Sequence, residues 1–141
     1  MASAMHKSVE ILLVEDNDFD VEAVKRAFRK AEIVNPLHSA LDGVEALDKL
    51  RTVGGPHDRP LLILLDINMP RMDGFEFLDA IRGDDQLRKS VVFMLTTSSY
   101  SGDRERAYAS NVAGYFLKEN LGDLVETLKG YVRGNEFPLA N

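Results

Sequence analysis

The chain of 141 residues contains no cysteine, which excludes disulfides and any metal site built on thiolates. No apolar run is long enough to span a membrane or form the core of a secretory signal, and the opening Met-Ala-Ser-Ala-Met-His-Lys-Ser is polar. A cytoplasmic protein without a membrane partner is expected. Basic residues are in deficit: 17 Lys and Arg face 23 Asp and Glu, for a net charge of −6. Such a surface repels phosphates unless a cation intervenes, which argues against nucleic acid as a direct partner. Internal repeats, low-complexity tracts and interdomain linkers are absent too. With 45% hydrophobic residues, the chain has the make-up of one globular domain with a real core.

What is present is a recurring grammar of apolar strand followed by acid. Leu61-Leu62-Ile63-Leu64-Leu65 runs into Asp66, then into a turn containing Pro70 and Gly74. An unbroken apolar run bounded by turn signals suits a strand buried on both faces, as in a parallel sheet. Ile11-Leu12-Leu13-Val14 similarly runs into Glu15 and Asp16. A helix follows, because Val21, Val24, Phe28 and Ala31 recur at helical spacing between charged positions. Asn17 is its expected N-cap, with Asp18 and Asp20 near the positive end of the helix dipole. Capping accounts for Asn17, Asp18 and Asp20; it does not account for Glu15 and Asp16, which precede the helix.

Strands are predicted at Val9–Val14, Leu37–Leu41, Leu61–Leu65, Val91–Leu95 and Gly114–Leu117. Helices are predicted near Asp18–Ala31, Gly43–Arg51, Gly74–Arg82, Gly102–Ser110 and Leu121–Arg133. Five strand–helix units imply an α/β fold with one parallel sheet covered by helices on both faces. Gly54-Gly55-Pro56 ends the second helix and opens a polar connection to the third strand. The expected layout is an N-terminal extension over 1–8, the α/β domain over 9–133 and a C-terminal tail over 134–141, with no output domain attached.

In such a sheet the strand ends meet at one edge, where open α/β folds bind ligands. If the first and third strands are neighbours, Asp16 and Asp66 lie roughly 5 Å apart. Clustered carboxylates repel unless one takes a proton or a cation binds. Mg²⁺ suits a site with one or two carboxylates, waters and a phosphoryl oxygen. The fourth strand ends in Thr96, a hydroxyl donor, and the fifth in Lys118, a mobile positive charge. Three acids, a hydroxyl and a lysine form a fitting set for phosphoryl transfer onto Asp66. Singly, each has a plainer reading: a turn cap for Asp66 or Thr96, a solvated charge for Lys118.

On these residues the chain resembles the response-regulator receiver family of bacterial two-component systems. The resemblance spans 9–133 and rests on Val14-Glu15-Asp16, on Asp66 with Pro70 and Asp73-Gly74, and on Thr96 and Lys118. Thr96 falls 30 positions after Asp66, and Lys118 another 22 beyond it, intervals that fit the family. The resemblance implies sheet order 2-1-3-4-5 and Asp66 as the acceptor of a phosphoryl group from a histidine kinase. It implies Asp16, Asp66 and the carbonyl of Asn68 as Mg²⁺ ligands, Glu15 supporting the metal through water, and Thr96 and Lys118 holding the phosphoryl group. It also implies that Tyr115 and Thr96 act as a coupled switch. Such a protein catalyses its own phosphotransfer and dephosphorylation and converts no external metabolite. The four hydroxyl residues Thr96-Thr97-Ser98-Ser99, the extended 54–60 connection and the tail most resemble the small regulators of phytochrome histidine kinases. Phe137-Pro138-Leu139 in that tail reads either as a frayed end or one folded back on its own domain, or, as the resemblance to those regulators implies, as part of a homodimer formed through the last helix and the tail.

One departure is visible. Receivers usually follow the lysine with proline, and here Glu119 follows Lys118. A trans bond and an altered loop are therefore expected, with Glu119 facing outward. Glu119 also leaves room for a different class of function, a pseudo-receiver that binds proteins without being phosphorylated. A flavodoxin-like cofactor binder would need Ser, Thr or Gly in its first loop, where this chain has Glu15-Asp16-Asn17-Asp18.

Overall fold

The computed structural model describes residues 9–52 and 61–133. In chain order the elements are β1 (Glu10–Val14), α1 (Asp18–Lys30), β2 (Leu37–Ala40), α2 (Gly43–Thr52) and β3 (Leu61–Leu65). There follow α3 (Gly74–Arg82), β4 (Val91–Thr96), α4 (Ser101–Ala109), β5 (Gly114–Leu117) and α5 (Leu121–Arg133). All five strands pair in parallel in the order β2-β1-β3-β4-β5, the expected 2-1-3-4-5 arrangement.

The period-two geometry of the strands divides the core into two layers. Ile11, Leu13, Leu62, Leu64, Phe93 and Leu95 face α1 and α5, packing on Val24, Phe28, Leu124 and Leu128. Leu12, Val14, Ile63, Leu65, Val92 and Met94 face the opposite way, against Leu47, Phe77, Leu78, Ile81 and Ala107. That is why β3 reads as an unbroken apolar run: both of its faces are covered. β2 is an edge strand with His38 and Ser39 exposed, which explains its faint signal in the sequence.

Helix starts follow the expected chemistry. Asn17 Oδ1 accepts the Asp20 N–H at 3.1 Å and caps α1. Asp73 caps α3 in a reciprocal capping box with Glu76. β3, α3, β5 and α5 match the expected bounds, and the others differ by one residue: β1 starts at Glu10, α1 ends at Lys30, β2 at Ala40, α2 at Thr52 and β4 at Thr96, and α4 is shifted to Ser101–Ala109. A 3₁₀ turn over Lys118–Asn120, absent from the sequence expectation, joins β5 to α5. The N-terminal extension, the connection around Gly54-Gly55-Pro56 and the tail with Phe137-Pro138-Leu139 lie outside the described residues.

Candidate functional site

β1 and β3 are paired with Val14 opposite Leu65, so the residues after each strand emerge side by side. The Glu15 N–H donates to the Ala40 carbonyl at 2.9 Å, and the Asp66 N–H to the Val14 carbonyl at 3.2 Å. Both acids thereby begin from the sheet's own hydrogen bonding. Carboxylate oxygens of Glu15, Asp16 and Asp66 come within 4.8 Å of one another. Glu15 and Asp66 are buried at 2% and 5% exposure, and Asp16 is exposed. The cluster is therefore a pocket open to solvent on the Asp16 side. Its donors are all carboxylate oxygens, the set preferred by hard divalent cations.

Lys118 enters from the end of β5. Its Nζ lies 2.6 Å from Glu15 Oε1, 2.8 Å from Asp20 Oδ2 and 3.1 Å from Asp66 Oδ2. Burial works against the charged form, but hydrogen bonds to Asp20 and Glu15 and the charge on Asp66 outweigh it and hold the lysine above its ordinary value. The other oxygen of Asp66, Oδ1, accepts the Ile67 N–H at 2.7 Å. No cis peptide bond occurs among the described residues, so the Lys118–Glu119 bond is trans, as expected. Glu119 is exposed and leaves Lys118 to the pocket.

Thr96, with no exposed surface, ends β4 opposite Leu117 of β5. Its Oγ1 accepts the Ser98 N–H at 3.3 Å, and among the described residues no hydrogen bond joins it to Asp66. Tyr115 stands opposite Met94 with its ring turned inward at 7% exposure. Its hydroxyl donates to the Ser98 carbonyl at 2.9 Å, and the Ser98 hydroxyl donates to Asp103 Oδ2 at 2.6 Å. Ser98 thus touches Thr96, Tyr115 and α4 at once. Asn68 is exposed, two residues beyond Asp66 in the β3–α3 loop.

Asp20 is the site residue that sequence reasoning missed. It was assigned to capping, and its backbone does bond the cap, but its carboxylate reaches across 98 positions to Lys118. The usable signal was topological. A 2-1-3-4-5 sheet puts α1 and α5 on one face, where the Lys118 side chain from the end of β5 meets Asp20 in the first turn of α1.

The carboxyl of Glu15 is pushed up to about 7. Burial is the main cause, relieved in part by the Lys118 hydrogen bond and reinforced by the charge on Asp66. Unfolded, the group titrates near 4.5, so between these values the folded state binds a proton that the unfolded chain releases. The stability from this group is complete below pH 4.5 and is lost as the pH rises through about 7. Glu15→Gln is expected to flatten that part of the profile in protein free of divalent ions. Denaturant unfolding at a series of pH values checks this, and an unaltered slope would remove Glu15 as its source.

A doubly wound 2-1-3-4-5 sheet with acids at the ends of β1 and β3 and a lysine at the end of β5 is a flavodoxin-like receiver fold. The chain belongs to the response regulator receiver domain family, whose model matches residues 11–129. It is 39% identical over 129 residues to the probable methanogenesis regulatory protein FilR2 of Methanothrix harundinacea, covering 88% of this chain and 83% of that protein. It is 37% identical over 123 residues to response regulator Rcp1 of Synechocystis, covering 85% and 84%. The solved structure of the Mn²⁺-bound form of Rcp1 superposes with a TM-score of 0.76 at 33% identity, covering 94% of this chain and 99% of that one. The phosphorylated cyanobacterial phytochrome response regulator RcpA gives 0.75 at 34% identity, with the same coverage. The resemblance to phytochrome regulators seen in the sequence therefore holds in three dimensions.

Proposed function

We propose that this receiver takes a phosphoryl group from a histidine kinase onto Asp66 and signals through the resulting change in its surface. The observation that carries the reading is the meeting of Lys118 Nζ with Asp66 Oδ2 at 3.1 Å beside the Glu15–Asp16–Asp66 cluster. An Asp66 oxygen attacks phosphorus, the bond from phosphorus to the kinase imidazole nitrogen breaks, and the imidazole keeps that electron pair and takes up a proton. Lys118 stands ready to pair with the phosphoryl oxygens, because its charge is secured by Glu15 and Asp20 before the group arrives. Burial of Glu15 and Asp66 keeps bulk water from competing for the lysine.

The donor set fits a divalent cation. Asp16, Asp66 and the Asn68 carbonyl would hold it, with Glu15 acting through water, and Mg²⁺ suits so few carboxylates. Such an ion supplies charge neutralisation on the transferring oxygens. Rcp1 has been crystallised in a Mn²⁺-bound form, which supports a divalent ion in this receiver as well. Asp16→Ala is expected to weaken Mg²⁺ binding by about tenfold or more, as loss of a principal ligand should. Calorimetric titration of both proteins tests this, and equal affinities would misplace the ion.

Thr96 moving toward the phosphoryl group would break its bond to the Ser98 amide and leave room for the Tyr115 ring. Ser98 links both to α4, so α4, β5 and α5 form the face that changes. Likeness to the phytochrome regulators supports a phytochrome-type kinase as donor and a cytoplasmic setting. Among the described residues no helix is long and apolar enough to cross a membrane, and the acidic composition disfavours nucleic acid. A homodimer through α5 and the tail belongs to the same reading and rests on Phe137-Pro138-Leu139. The test of the whole is incubation with a phytochrome-type kinase and ATP–Mg²⁺, followed by measurement of the regulator's mass. Absence of an added phosphoryl group would leave the pseudo-receiver reading in its place.

A further inference from the structure

The β3–α3 loop carries a strained turn. Arg71 has a φ of 62°, in the left-handed region that side chains other than glycine seldom adopt. The Met72 N–H donates to the Pro70 carbonyl at 2.6 Å, closing a three-residue turn around Arg71. Three-residue turns with positive φ at the centre are rare and strained, and they persist only where their surroundings hold them.

The holding group is Asp42, at the corner between β2 and α2. Its Oδ2 accepts the Arg71 Nε–H at 2.7 Å, and its Oδ1 accepts an Nη2–H at 3.0 Å. Oδ1 also accepts the Glu45 N–H at 3.0 Å, so this one carboxylate caps α2 and grips the loop together. Asp42 is buried at 3% exposure, and the paired guanidinium holds its carboxyl below the usual carboxylate range. The Gly43 N–H adds a weak bond to the Met72 carbonyl at 3.4 Å. Exposed ion pairs generally contribute little. This one differs in having a two-pronged geometry and a buried acid fixed by a helix cap.

We infer that the Asp42–Arg71 pair is a positioning device that holds the β3–α3 loop, and with it the Asn68 carbonyl, in the form that binds a divalent cation. The inference rests on the proposed function, since it concerns the same cation. Arg71 is a positioning residue for the cation site; it acts through the tie to Asp42 that anchors the loop against the start of α2.

Arg71→Gly separates the two roles of the residue. Glycine tolerates positive φ, so the turn survives locally while its tie to α2 is lost. Asp42→Asn retains a good helix cap but loses the charge. Each variant is expected to bind Mg²⁺ about tenfold more weakly than the parent, the lower end of what lost outer-shell partners cost. The double variant should be no weaker than either single one, the mark of one shared interaction, and Arg71→Lys should recover part of the loss. Calorimetric titration with Mg²⁺ reads all four against the parent, with thermal unfolding as a control. Parent-like affinity in Arg71→Gly, or full additivity in the double variant, overturns the inference alone. A parent that binds no Mg²⁺ overturns the proposed cation site and this inference with it.

Discussion

Asp66→Asn is expected to abolish phosphoryl uptake while leaving the protein folded and no less stable. An amide cannot serve as the attacking oxygen, so transfer should fall by about a thousandfold or more, the scale seen when a nucleophile is deleted. The fold should not suffer, because Lys118 keeps its bonds to Glu15 at 2.6 Å and Asp20 at 2.8 Å. Glu15 also loses the neighbouring charge that helps raise its pKa, so one source of repulsion disappears. Mass measurement after exposure to kinase or a small phosphodonor checks the first part, and denaturant unfolding the second. Undiminished labelling, labile to both acid and base, would transfer the acceptor role to another carboxylate.

Gly74→Ala should be the most damaging small substitution near the site. A Cβ at this position would lie 2.2 Å from the Asp66 carbonyl oxygen, 2.9 Å from Ile67 Cα and 3.0 Å from the Asp66 carbonyl carbon. All three atoms are backbone, so no side chain can rotate away. Either α3 withdraws from the end of β3, breaking the 2.8 Å bond from the Gly74 N–H to the Ile67 carbonyl, or the Asp66 peptide turns. The expected loss is about 3 kcal/mol, the upper part of the range for overpacking. For a domain of this size that lowers Tm by on the order of 10 °C. Gly130→Ala is the control: nothing lies within 4 Å of a Cβ there, and alanine inside α5 should stabilise by roughly 0.5–1 kcal/mol. Equal melting temperatures for Gly74→Ala and the parent would show that the loop yields freely.

The sequence was most informative where local pattern and tertiary role coincide. β3 declared itself because both of its faces are buried, and α1 because Val24 and Phe28 recur on its covered side. Glu15, Asp16, Asp66 and Lys118 could be placed at one edge once the strands were ordered, and they meet there. Where a residue serves two masters, the nearer one hid the farther. Asp20 reads as a helix-start acid, which it is, and nothing nearby announces its bond to Lys118. Arg71 lies in an evident turn, but its partner Asp42 is 29 positions away in another turn. Glu119 drew attention as a departure from the family pattern, and it faces solvent.

The crossover connections of the sheet also decide when the pocket comes into being. Lys118 meets Asp66 across 52 positions and Asp20 across 98, and no short fragment of the chain contains the set. Contacts of such range can form only after the entropy of closing long loops has been overcome, so they belong to the slow, late part of folding. Until β5 docks beside β4, the acids at the ends of β1 and β3 have no lysine between them. On the function proposed above, a molecule caught midway would already carry Asp66 but not the lysine meant to receive the phosphoryl group, and would stay silent to a kinase until the last strand is in place.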